Sequence, residues 1–297
     1  MKYDKLFETA KIGSLTLKNR FIMGAMGVGF AEMNGNPTDR TVAYYEERAK
    51  GGYALIITEV TRVQDTEFCT PLEPSLGSDK FIPGWKKVTD AVHAQGAYIF
   101  PQLHQPGRQY TKAILGHDTS APSPIACPVF DETPHELTTE EVWDNIHMFG
   151  DAAVRAKKAG FDGVEIHAGH GYLVQQFLSQ FSNRRFDEFG GSIENRARFA
   201  CEICKDIKKK CGEDYPVIIK LSGEEKVPGG MTISDTKIIA KYLEEAGYDA
   251  IEVTICNYAS LDWMSAPEDE PMGFNAYNAE KIKEGVHIPV AAIDRIN

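Results

Sequence analysis

The sequence predicts an α/β fold, a TIM (β/α)8 barrel that stops after its seventh strand. Three observations predict it. Apolar runs of strand length alternate with amphipathic helical stretches along nearly all of the 297 residues. Some runs, such as Ala54 to Val60, are apolar without alternation, as a parallel strand buried on both faces requires. Polar and small residues then cluster just beyond the ends of these runs, where α/β enzymes keep their chemistry.

Leu6 to Asn19 reads as a hairpin turning at Gly13-Ser14, and Phe21 to Met26 as the first barrel strand, ending in Gly24-Ala25-Met26-Gly27. Asn36-Pro37-Thr38-Asp39 is a turn and cap signal for a helix over Arg40 to Lys50, stopped by Gly51-Gly52. The second strand is Ala54 to Val60, followed by a helix over Pro83 to Gln95 and a third strand over Tyr98 to Leu103. The segment to about Leu137, with Pro122, Pro124, Pro128 and Pro134, reads as a surface excursion serving as a lid or substrate loop. A helix from Thr138 to Lys158 leads to a fourth strand, Gly163 to Ile166. Ile193 to Lys210 is helical and Val217 to Ser222 is the fifth strand. Ser234 is read as the cap of a helix to Ala246. Ala250 to Ile255, a helix over Asn275 to Glu284, and Pro289 to Ile293 complete seven strands before Asn297. A closed barrel needs an eighth strand to cover its open edge, so one barrel domain over residues 1–297 is expected to be incomplete.

A hydrophobic content of 42% and a charged content of 25% are ordinary globular values, sufficient for a sizeable core. The net charge of -11 argues against nucleic acid or an anionic membrane as partner. The six cysteines do not form a disulfide framework pattern. No leader is read in Met1-Lys2-Tyr3-Asp4-Lys5 and no apolar run approaches a membrane span, so a cytoplasmic location is expected. A homo-oligomer is left open.

The stretch from Asp162 to Phe199 organises the rest. It places His167, His170 and Tyr172 within six residues of one another at a strand end. Two imidazoles and a phenol suit holding a carbonyl oxygen and giving up a proton. The i, i+3 histidines could instead begin a zinc site, but no third ligand stands at a recognisable spacing, and no metal is expected. Gln102 is either a satisfied core amide or a reader of a ring's donor and acceptor edge. Lys220 is a cation inside the run Ile218 to Ser222 and needs an anionic partner, for which Glu165 and Glu252 are candidates. Cys201 and Cys204 lie mid-helix without a second pair and read as packing.

The run H-x-x-H-G-Y-L…Q-F-L-S…N-x-R-x-D-x-(Y/F)-G-G-S-x-E-N-R-x-R-F resembles the Old Yellow Enzyme family of FMN-dependent ene-reductases, in its enoate reductase and dienoyl-CoA reductase branch. The resemblance implies a single FMN-binding catalytic domain, with NADH or NADPH as a transient reductant. It implies that His167 and His170 bind the substrate oxygen and Tyr172 protonates the α-carbon. It implies that Gly24, Ala25, Met26, Gly27, Val60, Gln102, Lys220 and Arg295 hold FMN, Lys220 facing the reduced ring and Arg295 the phosphate. Asp187, Glu194, Asn195 and Arg198 belong to the motif and are read as structural. An iron–sulfur cluster and FAD are expected only in a longer parent chain.

Four departures stand out. The family usually has Pro at Ala25 and Gly at Asp294. Relatives often have His where Gln105 stands, and some place a flavin-tuning Cys at Gly27. No G-x-G-x-x-G is present, which fits a nicotinamide docking on the flavin itself. Dienoyl-CoA reductases carry the Tyr without the His pair, which tilts the expected substrate toward small α,β-unsaturated carbonyl compounds of enoate or enone type. An FMN-dependent amine dehydrogenase or demethylase, and an inactive barrel fragment without flavin, are the alternatives.

Overall fold

In the computed structural model, residues 3–264 and 268–296 are described. Met1, Lys2 and Asn297, on which the sequence reading touched, lie outside them. Strands β3 (Ile22–Met23), β4 (Leu55–Arg62), β5 (Tyr98–His104), β8 (Val164–Ala168), β9 (Val217–Ser222), β10 (Ala250–Thr254) and β11 (Val290–Ala292) form one seven-stranded sheet in sequence order. The pairs β3–β4, β4–β5, β5–β8, β9–β10 and β10–β11 are parallel. The helices between them are α1 (Asp39–Lys50), α2 (Ile82–His93), α4 (Thr139–Lys158), α6 (Ile193–Cys211), α7 (Ile233–Ala246) and α8 (Ala276–Lys283). A separate antiparallel hairpin, β1 (Ala10–Ile12) and β2 (Leu15–Leu17), turns at Gly13 with φ +53°, as the Gly-Ser signal required. The seven barrel strands read from the sequence are the seven in the sheet.

The chain divides into two compact units. The first comprises residues 1–104, 148–166 and 207–217. Its core contains Tyr45, Phe81, Trp85 and Phe100, all buried. Trp85 meets Phe161 edge to face at 5.2 Å and donates its indole N–H to the Ser75 carbonyl at 2.9 Å, so the ring is buried without leaving a polar atom unsatisfied. The second unit comprises residues 105–147, 167–206 and 218–297. There Phe177 stacks on Phe199 at 4.2 Å, and the buried Tyr248 donates its hydroxyl to the Ala200 carbonyl.

Four local expectations are corrected. The first barrel strand is only Ile22–Met23; Gly24 to Met26 lie beyond it, unpaired, because glycine and the loop chemistry after it do not favour ladder pairing. The fourth strand runs to Ala168 instead of Ile166, which puts His167 inside the strand. The cap of α7 is Thr232, not Ser234: its hydroxyl accepts from Asp235 N while Asp235 bonds back to Thr232 N. The segment after β5 is not a plain surface excursion. It holds α3 (Lys112–Leu115) and the short parallel strands β6 (Ser120–Ala121) and β7 (His135–Glu136). Its first part, Gln105 to Tyr110, is buried, with Arg108 donating to the carbonyls of Ile125 and Ala126. A buried guanidinium that finds carbonyl acceptors can anchor a segment whose proline content suggested only exposure.

Candidate active site

The end of β8 turns sharply, and glycine makes the turn possible. A Cβ on Gly169 would stand 2.7 Å from a methyl of Thr254. Gly171 has φ +79°, and a Cβ there would meet the Gln109 amide at 2.7 Å. Between them His170 takes φ +58°, a left-handed conformation uncommon for a residue with a side chain. Its carbonyl is held by Gln109 Nε2 at 2.7 Å and its N–H donates to Ser222 Oγ at 3.3 Å. The short helix α5 (Leu173–Leu178) then starts directly after Tyr172.

This turn brings the three predicted side chains together. The rings of His167 and His170 lie edge-on with centroids 5.2 Å apart, and Tyr172 lies 4.9 Å from His167 and 6.5 Å from His170. Gly169 N–H donates to His167 Nδ1 at 3.2 Å, which leaves Nε2 to carry the ring proton of the neutral form. His170 Nε2 is 2.9 Å from Thr254 Oγ1 at the end of β10. Thr254 also hydrogen-bonds to the Asp294 carboxyl, so a line of polar groups runs from His170 through Thr254 to Asp294.

Sequence reasoning missed Tyr258, whose hydroxyl is 2.8 Å from that of Tyr172, with the rings 5.5 Å apart. The signal that could have found it is its place four residues beyond β10, at the same strand ends as the other groups. It also missed Glu225, a buried carboxylate bonded to Gln175 Nε2, Ser179 Oγ and Met231 N, which fixes α5 beneath the turn.

Lys220 and Glu252 are directly opposite one another on β9 and β10, both buried, with Nζ 2.9 Å from Oε1. Of the two carboxylates the sequence offered as partner, Glu252 stands at ion-pair distance. Asp294 has φ +77°, the conformation that glycine adopts freely and a residue with a side chain rarely takes. Asn275 Nδ2 donates to its carboxyl at 2.9 Å. Burial pushes the Asp294 carboxyl up to about 6, against the opposing pull of Lys220 and the Asn275 bond. Arg295 donates to the Glu270 carbonyl at 2.7 Å.

The Asp294 value carries a pH prediction. The folded state holds this proton more tightly than the unfolded chain, so the Asp294 contribution to stability is fully present below about pH 4 and is lost as pH rises through about 6. A raise from 3.8 to about 6 corresponds to about 3 kcal/mol. Asp294→Asn should flatten that slope and stabilise the protein at pH 7, as urea midpoints between pH 4 and 8 would record.

The other predicted residues belong to the first unit. Gly24 to Gly27 follow β3, Val60 is near the end of β4, and Gln102 is near the end of β5, so all stand at the carboxyl ends of three adjacent strands. A Cβ on Gly27 would have nothing within 4 Å, and Met26 is exposed. Gln102 is buried and donates Nε2 to Glu165 Oε1 at 2.7 Å. Val28 and Gly29 donate their N–H groups to Glu59 Oε2 at 2.9 and 3.0 Å, tying the loop after β3 to β4.

The motif residue Asp187 is structural here: burial acts to raise it, but bonds from Arg185, Thr139 and the Phe189 N–H bring its carboxyl down to about 2. Cys201 is also packed, with burial pushing its thiol up to about 12. Among the described residues no helix is long and apolar enough to cross a membrane.

The sequence pattern of the NADH:flavin oxidoreductase / NADH oxidase family matches residues 5–297. The chain belongs to this family. Its Old Yellow Enzyme resemblance is thereby established. The chain is 42% identical to the NADH oxidase of Thermoanaerobacter brockii over 295 residues, covering 98% of this chain and 45% of the relative. It is 40% identical to the cinnamate reductase of Clostridium sporogenes over 317 residues, covering 99% of this chain and 48% of the relative. The chain thus spans less than half the length of these two relatives. Among solved structures, the Old Yellow Enzyme homologue of Zymomonas mobilis superposes with a TM-score of 0.84 at 27% identity, covering 99% of this chain and 83% of that one. The family member described here therefore has the α/β TIM-barrel class of fold that its strand order led one to expect.

Proposed function

We propose that this chain binds FMN and, with NADH or NADPH, reduces the C=C bond of α,β-unsaturated carbonyl compounds of enoate or enone type. The observation that carries the reading is the cluster of His167, His170 and Tyr172 at the end of β8, with Tyr258 on the Tyr172 hydroxyl. The similarity to a cinnamate reductase supports the same class of substrate.

The residues present fit a flat anionic cofactor. The strand ends after β3 are small and open at Gly27, and Lys220 supplies a buried cation. Gly24, Ala25, Met26, Gly27, Val60 and Gln102 are assigned to the ring system, Lys220 to its reduced anionic form, and Arg295 to the phosphate. Gln102 keeps its carbonyl oxygen and one amide hydrogen for this after bonding Glu165. Bound FMN would supply hydride transfer from the nicotinamide to the β-carbon.

The chain's own groups account for the rest. His167 Nε2–H and a protonated His170 would donate to the substrate's carbonyl oxygen, stabilising the negative charge that develops there. Tyr172 would give its hydroxyl proton to the α-carbon, with Tyr258 able to restore it across the 2.8 Å contact. Tyr172→Phe should therefore slow product formation by about 100-fold, the lower end of the range for a lost general acid, with Tyr258 as the nearest substitute donor. Tyr172→Phe/Tyr258→Phe should slow it further; equal rates for the single and double variants would remove Tyr258 from the scheme.

The deciding experiment is the visible spectrum of the purified chain with and without added FMN, followed by anaerobic NADH or NADPH and then an enone. Binding, bleaching and recolouring support the reading. A chain that takes up no FMN at saturation overturns it.

A further inference from the structure

Of the six cysteines, all within the described residues, five are buried and only Cys69 is partly exposed. It lies in the loop after β4, with Sγ 3.6 Å from His104 Nε2 at the end of β5. His104 is itself fully buried, and its Nδ1 lies 3.1 Å from Glu73 Oε1. The other oxygen of the same carboxylate accepts from the Cys69 N–H at 2.6 Å. A carboxylate on Nδ1 fixes the imidazole with its proton there, so Nε2 faces the thiol as a base. Thiol, base and orienting acid within contact of one another are the arrangement by which a cysteine becomes a nucleophile.

We infer that Cys69 is a modification site, a thiol activated by His104 and Glu73 that adds to the β-carbon of α,β-unsaturated carbonyl compounds. The Sγ lone pair forms the C–S bond and the C=C electron pair moves toward the carbonyl. The thiol proton, taken up at His104 Nε2, goes to the α-carbon. Nothing leaves and nothing is oxidised or reduced overall. The class of compound is shared with the proposed function, but the step needs neither FMN nor nicotinamide.

The surroundings are mixed in charge. Glu73 faces His104, while Glu59 and Arg62 from β4 and Glu67 from its loop are also buried nearby. Arg62 is bound into the loop through the carbonyls of Asp65 and Pro71 and lies over the Phe68 ring. The carboxylates oppose a thiolate, whereas an imidazolium in direct contact favours it most strongly because it is nearest. Two of the other thiols provide an internal contrast, since burial pushes those of Cys201 and Cys256 upward, away from the thiolate.

The test treats the full chain, flavin oxidised and no nicotinamide present, with N-ethylmaleimide and separately with cyclohexenone. Adducts are located by peptide mass mapping, and rates are measured from pH 5.5 to 8.5 beside a short unstructured cysteine peptide. One adduct, on Cys69, formed at least about tenfold faster than on the peptide at pH 6.5, is the expected result. His104→Gln should bring the rate and its pH curve to those of the peptide. If that variant does not fold, the wild-type pH curve decides alone. Cys69→Ser should lose the adduct while keeping nicotinamide oxidation by an enone, which separates this site from the proposed reaction. A peptide-like rate at every pH, adducts spread over several cysteines, or reaction only after EDTA would each overturn the inference. The last would show the three side chains to be holding a metal instead.

Discussion

Replacing His167 by alanine should slow reoxidation of the reduced protein by an enone about 10²–10³-fold while leaving its reduction by NADH or NADPH near the wild-type rate. The magnitude is that of one preorganised donor lost from a site where charge develops on oxygen. The asymmetry follows from the role: the imidazole N–H meets the carbonyl substrate and has no part in taking hydride from the nicotinamide. His170→Ala should cost less in the same step, because its Nε2 is already committed to Thr254 and only a protonated ring has Nδ1–H to offer. Stopped-flow measurement of the two half-reactions separates these outcomes. Equal slowing of both halves by His167→Ala would place the residue in flavin positioning instead of oxyanion binding.

Lys220→Met should destabilise the fold by about 3–5 kcal/mol, the cost of leaving one member of a buried ion pair uncompensated. Glu252 is buried, and the 2.9 Å approach of Nζ to its Oε1 is what offsets its desolvation. Lys220→Met/Glu252→Gln should recover most of that loss, since a neutral amide is far less costly to bury than a lone carboxylate. Urea denaturation of the apoprotein of each variant gives the comparison. If the double variant remains as unstable as the single, the cost lies in packing of the lysine stem and not in the charge. The proposed FMN role adds a second readout, because the double variant should fold yet bind FMN more weakly than wild type.

Most strands could be read locally because their signal is local. Val217 to Ser222 is six residues of uninterrupted burial, and its bounds are those of the apolar run. The helix ends were legible where a side chain caps its own helix, as at Thr38, and shifted where two hydroxyls compete, as with Thr232 and Ser234. The buried course of Gln105 to Tyr110 was not legible. Pro106 and the prolines further along the segment speak for irregular backbone, while the burial of this stretch depends on Arg108 finding carbonyls that stand 17 and 18 residues further on.

The sequence by itself determined the order of the seven barrel strands, the family, and the proximity of His167, His170 and Tyr172, because these depend on residue type and short spacing. Only the tertiary structure decided partners: Glu252 for Lys220, Glu165 for Gln102, Thr254 for His170, and Tyr258 for Tyr172. Each pairs residues between 32 and 86 positions apart, brought together by the register of the sheet and the turns beyond its strands. A buried polar group requires a partner, and that requirement is visible in one dimension. Which of several chemically equal candidates meets it is settled by which strands lie side by side.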